Sequence, residues 1–126
     1  MADPTKALHT ALLARLKAIL SVPVWDAVPQ GSEYPYVTID SMVSSNDDLL
    51  SSRANTRFVY LGIWSRAYGQ AEIMGIMEQI DAINEQPLPL STGRAVSVRV
   101  DNTRTVRDSD NLTYQGQVTL RIITQH

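Results

Sequence analysis

The sequence of 126 residues contains no cysteine and only two histidines, His9 and the final residue His126. Without cysteine, disulfides, thiolate metal sites and cysteine nucleophiles are excluded. Two separated histidines are too few for a zinc site, and neither is placed for a Ser-His-Asp site. No G-x-x-x-x-G-K-[ST] or G-x-G-x-x-G loop occurs. We therefore expect a protein that is not an enzyme and that has no cofactor and no metal ion.

Long apolar runs are also missing. A membrane-spanning helix needs ~20 apolar residues, and the longest such run, residues 7–20, is interrupted by His9, Arg15 and Lys17. The N-terminus shows no secretory signal, because Asp3 follows almost directly on the initiator. We expect no membrane contact and a cytoplasmic protein, unless a larger assembly carries it out of the cell.

The charges are few and unevenly distributed. A net charge of -2 argues against a dedicated nucleic-acid binder, which normally has a basic face. Residues 94–126 carry five arginines against three aspartates, net +2, whereas residues 1–93 carry six basic against ten acidic residues, net -4. This split suits head-to-tail contact between copies. From Arg53 onward every positive charge is an arginine, whose planar guanidinium suits fixed pairing at interfaces; chance and codon bias are the alternative explanation.

What is present predicts a single domain over residues 1–126, long enough for one core. Asp3-Pro4 is typical of a helix start, and the helix should end near Ser21 because Pro23 disfavours helical geometry before it. Its apolar stripe follows helical spacing: Leu8, Leu12, Leu16, Ile19 and Leu20.

Residues 56–84 form the unit around which the rest is organised. The first part is a strand that is apolar on both faces, so it should be the central strand of a sheet or part of an interface. A glycine turn and an amphipathic helix follow. The strand places Phe58, Tyr60 and Trp64 on one face and Val59, Leu61 and Ile63 on the other.

Before this unit, residues 36–40 predict a strand, and residues 41–55 a loop rich in serine and asparagine. The loop contains Asp47 and Asp48, which as adjacent residues do not converge on a cation; a solvated loop is the better interpretation. The functional interpretation that we favour is a loop that becomes ordered against a partner.

The end of the chain predicts an antiparallel hairpin. Valines alternate with polar residues over 96–106, and a second alternating run covers 112–122. Asp108 and Asp110 lie in the connecting turn, the commonest place for aspartate, so an acid–base role is not expected. Gly116 predicts a bulge or a close backbone approach.

Together these elements predict an α+β fold with a four-stranded, mostly antiparallel sheet, two helices packed on one face, and the order α-β-β-α-β-β. One face of the central strand would then leave three large side chains exposed, which calls for a partner. The alternative is that residues 24–35 fold over them. We favour partner contact, because that segment is short and rich in proline.

Several stretches together resemble a known family. They are Val24-Trp25-Asp26-Ala27-Val28-Pro29 with Tyr34-Pro35-Tyr36-Val37-Thr38-Ile39, the block from Phe58 to Arg66 that leads into the helix with Ile76-Met77, and the closing strand from Tyr114 to Ile123. The set is similar to the small tail-completion, or tail terminator, proteins of long-tailed bacteriophages and gene transfer agents, over nearly the whole chain. These motifs are structural, so the resemblance assigns no individual binding residues.

The resemblance implies a homo-oligomeric ring, typically hexameric, at the head-proximal end of a tail tube. Such a ring stops tube polymerisation and provides the surface to which the filled head attaches. The implied partners are other copies of the chain, the tail tube protein and a head–tail connector protein, while DNA passes through the lumen without specific binding. The implied location is the virion, or a phage-like particle, with assembly in the bacterial cytoplasm.

A closed ring needs two different complementary patches on each subunit. Our candidates come from the exposed strand face, the predicted loop and the arginine-bearing hairpin: Phe58, Tyr60, Trp64, Asp47, Asp48, Arg53, Arg99, Arg104, Arg107 and Arg121. The alternative within the same class is a head-side connector or stopper ring. A small ligand-binding or enzymatic α+β domain, with a concave pocket of convergent polar groups, is a further alternative, and a nucleic-acid module is a third.

Overall fold

The computed structural model describes residues 5–46, 54–66, 70–85, 88–91, 93–107 and 113–125. Two α-helices and five strands follow one another along the chain: α1 (Thr5–Ile19), β1 (Val24–Trp25), β2 (Tyr36–Asn46), β3 (Ala54–Ser65), α2 (Ala71–Asp81) with a 3-10 turn at Ala82–Glu85, β4 (Arg94–Arg107) and β5 (Tyr114–Gln125).

The five strands form one sheet in the order β1-β2-β3-β5-β4, with β1 and β4 at its two ends. All neighbours are antiparallel except β1 and β2. The α+β class and the mostly antiparallel sheet are confirmed, but the prediction of four strands is wrong, and the order is α-β-β-β-α-β-β. The extra strand, β1, has only two residues, so no side-chain period marks it. Its pairing is held by tertiary contact, including a hydrogen bond from Val37 N–H to Pro23 O of 2.9 Å.

β3 is the central strand, as predicted, between β2 and β5. Its odd-numbered residues Val59, Leu61 and Ile63 are buried. The same face contacts both helices. Arg57 donates a hydrogen bond to Thr5 of α1, and α2 packs over Gly116 beside Ile63. Both helices therefore cover one face of the sheet.

Gly116 marks a close approach between β5 and α2, which is one of the two alternatives predicted for it. A Cβ at this position would lie 2.6 Å from Ile73 Cγ2 and 2.9 Å from Met77 Cε. Only a glycine lets the helix settle this low on the sheet. The bulges of the hairpin lie instead in β4, where the register shifts between Ala95 and Ser97 and again between Val100 and Asn102.

The predicted loop over residues 41–55 is wrong for all of the part that the structure describes. β2 continues to Asn46, and β3 begins at Ala54. The two strands pair without interruption from Ser41↔Tyr60 to Asn46↔Asn55. Serine-rich sequence carries no hydrophobic period, but backbone pairing to a long, well-anchored β3 supplies the stability that side chains do not. Residues 47–53 lie outside the described part of the chain.

Buried Arg57 links β3 to β5 and to the start of α1. Its side chain is fully buried. Nε donates to Thr124 Oγ1 at 3.0 Å, and Nη1 donates to Thr5 Oγ1 at 2.7 Å. Hydrogen bonds to a charged donor stabilise by about 1.5–3 kcal/mol each, so this arginine is a structural element of the helix-covered face.

Candidate functional site

The face of the sheet opposite the helices, here called the open face, presents Phe58, Tyr60 and Trp64. Phe58 and Trp64 are half-buried and Tyr60 is 39% exposed. Beside Phe58 on β2, Val43 is 52% exposed. The alternative in which residues 24–35 fold over this face holds only at the Trp64 end, where Val28 and Tyr34 line the same concave region as Trp64. The middle of the open face remains accessible.

Strand register brings three of the predicted arginines to the same face. Arg121 lies opposite Phe58 in the β3–β5 pair, and Arg99 lies opposite Arg121 in the β4–β5 pair. Arg104 is opposite Gln117, whose other neighbour is Gly62 of β3. All three arginines are exposed. The open face thus runs from aromatic side chains in its middle to guanidinium groups at the β4 end.

The remaining predicted interface residues are not brought into this arrangement. Arg107 is the last residue of β4 and pairs with Tyr114, but its side chain is outside the description. Asp47, Asp48 and Arg53 lie in the segment that the structure does not describe. A role in an interface stays a prediction for all ten residues.

At the β1–β2 end, the open face contains a concave region of ≈ 390 Å³, here called the edge notch. Three aromatic rings and two carboxylates line it: Tyr34, Tyr36, Trp64, Asp26 and Asp40, together with Val28, Thr38 and Ile39. The alternation of β2 points Tyr36, Thr38 and Asp40 to one side while Val37 and Ile39 enter the core. The register shift between Ile39 and Ser41 ends this alternation at Asp40.

A chain of hydrogen bonds forms the floor of the edge notch. Trp64 Nε1 donates to Thr38 Oγ1 at 3.1 Å, and the Thr38 hydroxyl donates to Asp40 Oδ1 at 2.7 Å. The second carboxylate oxygen lies over Gly62, where a Cβ would come within 2.8 Å of it. Because Gly62 has no side chain, the Asp40 carboxylate has space above it, and the Thr38 hydroxyl fixes the orientation of that carboxylate.

One wall of the edge notch is a stack of two tyrosines and an arginine. The Tyr34 and Tyr36 rings are 5.1 Å apart, and the Arg66 guanidinium lies 4.6 Å from the centre of the Tyr34 ring. Burial raises the pKa of the Tyr36 phenol above its ordinary value, and a hydrogen bond with Tyr34 raises it further, while Arg66 acts in the opposite direction. Tyr36 is therefore a neutral hydroxyl at physiological pH.

His9 and Asp26 approach each other beside the edge notch, with 3.5 Å between Nε2 and Oδ1. Within the described ranges no three His, Cys, Asp or Glu side chains come together in a way that would hold a metal ion. In the same part of the chain, no helix has the length and apolar character to cross a membrane.

The edge notch was not predicted as a site from the sequence, although all of its lining residues except Asp40 belong to stretches that carry the family resemblance. The available signal was the run Tyr36, Thr38, Asp40 at period two. On a strand this run places a ring, a hydroxyl and a carboxylate side by side. Recognising the notch also required the partner strand, because Gly62 and Trp64 complete it from β3.

Comparison with known proteins gives a match over nearly the whole chain. Residues 6–125 match the family model described as tail completion protein gp17. Among solved structures, a chain in a structure entitled "Virion of native gene transfer agent (GTA) particle" matches with a TM-score of 0.79 and 21% sequence identity, covering 96% of this chain and 93% of that one. At this identity the likeness shows the fold. No curated protein matches the sequence significantly.

Proposed function

Because the chain belongs to the tail completion protein gp17 family, and so has a structural role in the tail of a phage-like particle, we propose that it acts there as a tail terminator. In this proposal, identical copies close into a ring at the head-proximal end of the tail tube. The ring ends tube polymerisation and offers its other side to the head. The proposed action is docking without catalysis, and the proposed partners are other copies, the tail tube protein and a connector protein of the head.

The observation that carries this proposal is the open face of the sheet. A face that leaves Tyr60 and Val43 exposed and bears arginines at one end is typical of a surface that is covered in an assembly. The two ends of the sheet are chemically different, with two carboxylates and one guanidinium group in and beside the edge notch, and three exposed arginines on β4 and β5. A ring of identical subunits needs such a heterologous pair of surfaces.

The gene transfer agent virion chain supports the same proposal through its fold and coverage. It aligns along 96% of this chain, so the open face and both ends of the sheet fall within the shared fold. The net charge of -2 also suits a lumen through which DNA slides, because a lumen rich in cations would bind phosphate.

The test is tube assembly in the presence of the protein. Tail tube protein that polymerises alone should give tubes of unlimited length. With this protein added, electron microscopy should show short tubes that carry a ring at one end. If the protein instead binds portal-bearing heads and leaves free tubes growing, it acts as a head-side connector. If the chain remains monomeric beside tubes, and the tubes grow undiminished, the ring proposal is wrong.

The DNA part of the proposal has its own measurement. Binding to duplex DNA is compared at two ionic strengths by fluorescence anisotropy. A lumen that merely lets DNA pass predicts weak binding at both. Tight binding that falls steeply with salt would show that the protein neutralises phosphates, and would favour a nucleic-acid module.

A further inference from the structure

We propose that the edge notch of each copy receives the Arg104 side chain of the neighbouring copy, so that the ring closes by joining the β4 end of one sheet to the β1–β2 end of the next. This inference rests on the ring proposed above and names the contact that builds it. Three independent features of the described residues lead to it: the chemistry of the notch, the state of the two charges, and their level along the strands.

The chemistry of the edge notch fits a guanidinium group. Aromatic faces attract cations, and a planar guanidinium can stack on a ring while it donates paired hydrogen bonds to a carboxylate. Rings and carboxylates converge here from Tyr36, Trp64, Asp26 and Asp40. The neighbouring Arg66 over Tyr34 shows the same preference within the chain. An ammonium ion or an anion would use fewer of these groups.

Both proposed partners have unused charge. The Asp40 carboxylate accepts a hydrogen bond from Thr38 and pairs with no cation in the described part of the chain. Arg104 is exposed, and no acidic side chain among the described residues pairs with it. A carboxylate fixed by a hydroxyl and left without a counter-ion is prepared for a charged donor from outside the subunit.

Strand register places Arg104 level with Gly62, over which the Asp40 carboxylate lies. Reading across the sheet, Thr38 pairs with Gly62, Gly62 with Gln117, and Gln117 with Arg104. In the proposed ring the axis runs along the strands, and rotation about such an axis preserves level, so Arg104 of one copy meets the edge notch of the next. Arg121 lies four residues further along β5 than Gln117, about 13 Å away at 3.3 Å per residue, and is level with Phe58.

The same arrangement disfavours the competing symmetric contacts. Two β4 ends brought together would oppose guanidinium groups, and two edge notches would oppose two carboxylates each, with one guanidinium, that of Arg66, on each notch wall. Like charges across an interface are unfavourable, which favours the correct partner surface. The contact therefore has a direction, as a closed ring requires and a two-fold dimer does not.

Charge exchange tests the pairing. Arg104→Asp and Asp40→Arg are made singly, with Lys6→Asp, at an exposed position in the first turn of α1, as a control that changes the charge by the same amount as Arg104→Asp. Each single reversal should weaken ring formation roughly 30-fold or more, as for truncation of a buried charge pair, while the control assembles as the unchanged chain does. Mixing the two reversed variants in equal amounts should restore rings, because every interface then joins opposite charges. Circular dichroism confirms that each variant is folded.

Cross-linking tests the contact directly. Because the chain contains no cysteine, each thiol in a variant is the one that was introduced. Val28→Cys protein, which keeps Asp40 and carries its thiol in the notch lining, is mixed with size-tagged Asn102→Cys protein, which keeps Arg104 and is exposed on the same strand, and a short bis-maleimide is added. A mixed dimer should form in high yield. Val96→Cys, also exposed on β4 but near its first residues, is the matched control and should react poorly with Val28→Cys.

The outcomes separate the two proposals. Rings that form equally well after either reversal, or that cross-link through Val96→Cys in preference to Asn102→Cys, would overturn the notch contact and leave the tail-terminator ring intact. An unchanged chain that makes no ring, even with tail tubes present, would overturn both. Loss after each reversal, recovery on mixing and the mixed dimer together support the contact.

Discussion

The indole of Trp64 donates a hydrogen bond of 3.1 Å to the hydroxyl of Thr38 on the neighbouring strand, and that hydroxyl in turn holds the Asp40 carboxylate at 2.7 Å. Thr38, which accepts the hydrogen bond from Trp64, thus sets the orientation of the Asp40 carboxylate two residues further along β2. The aromatic part of this face and its acidic end are a single connected surface. A substitution at Trp64 should therefore affect association through two routes, contact area and carboxylate orientation.

Trp64→Ala is expected to reduce ring formation more than folding. Trp64 is only half-buried, so we expect its loss to lower the free energy of unfolding by about 1–2 kcal/mol. Leu61→Ala, on the opposite face of β3 and almost fully buried, should cost about 2–5 kcal/mol. Urea denaturation measures stability, and light scattering measures assembly. A larger stability loss for Trp64→Ala than for Leu61→Ala would contradict the assignment of the two faces.

Gly116→Ala and Gly75→Ala should change stability in opposite directions. At Gly116 the added methyl collides with the branched side chain of Ile73, which is fully buried, and overpacking of this kind costs about 1–3 kcal/mol. At Gly75, within α2, nothing lies within 4 Å of the added carbon. Alanine there should stabilise the helix by up to about 1 kcal/mol. Thermal unfolding of the two variants gives the comparison, and equal effects would refute the close packing of α2 on β5.

Arg57→Met and Arg121→Met compare two arginines at adjacent positions across the β3–β5 pair. Arg57 is buried and donates hydrogen bonds to Thr5 and Thr124. Its replacement should lower the free energy of unfolding by about 2–4 kcal/mol and speed amide exchange at the start of α1. Arg121 is exposed on the open face, so its replacement should change stability by less than about 0.5 kcal/mol. Denaturation together with hydrogen exchange distinguishes the two.

Stability should fall at high pH partly through Tyr36. Burial, the largest cause, and the hydrogen bond with Tyr34 raise the pKa of Tyr36 in the folded chain above its ordinary value of about 10. Below pH ~10 the Tyr36 phenol is protonated in both the folded and the unfolded chain, and its full contribution to the free energy of unfolding is present. Above this pH the unfolded chain loses the proton first, so stability declines until the folded-state pKa is passed.

Urea denaturation across this alkaline range, with Tyr36→Phe as the variant, measures the effect. The variant should show a shallower decline, because it has no phenol to ionise. Tyr60→Phe, which removes an exposed phenol on the same face, should keep the decline that is due to Tyr36. A decline that is unchanged in Tyr36→Phe would assign the alkaline loss to other groups.

Most elements of the fold could be predicted from the hydrophobic periodicity of the sequence. The stripe of α1, the two apolar faces of β3 and the alternation over β4 and β5 are local patterns that express which side of each element is buried. Gly116 stood out because a glycine inside a strand has to be explained by geometry. In each case a local pattern, either a repeated apolar position or a glycine within a strand, was sufficient to predict the feature.

The features that the sequence did not predict depend on contacts between distant segments. β1 consists of Val24 and Trp25 alone, and it is a strand only because β2 lies beside it. The second half of β2 is polar and serine-rich, and it is extended because β3 offers a backbone to pair with. The edge notch needs Gly62 under Asp40, a relation between positions 22 residues apart that no local pattern encodes.

The two register shifts of β4 have a consequence for the protein before tails are built. An outermost strand with an even backbone ladder is a template onto which further strands can add without limit, and this is how fibrous aggregates grow. The shifts after Ala95 and Val100 interrupt that ladder. An edge interrupted in this way is a poor template for a further strand, so the two shifts disfavour the growth of this chain into filaments.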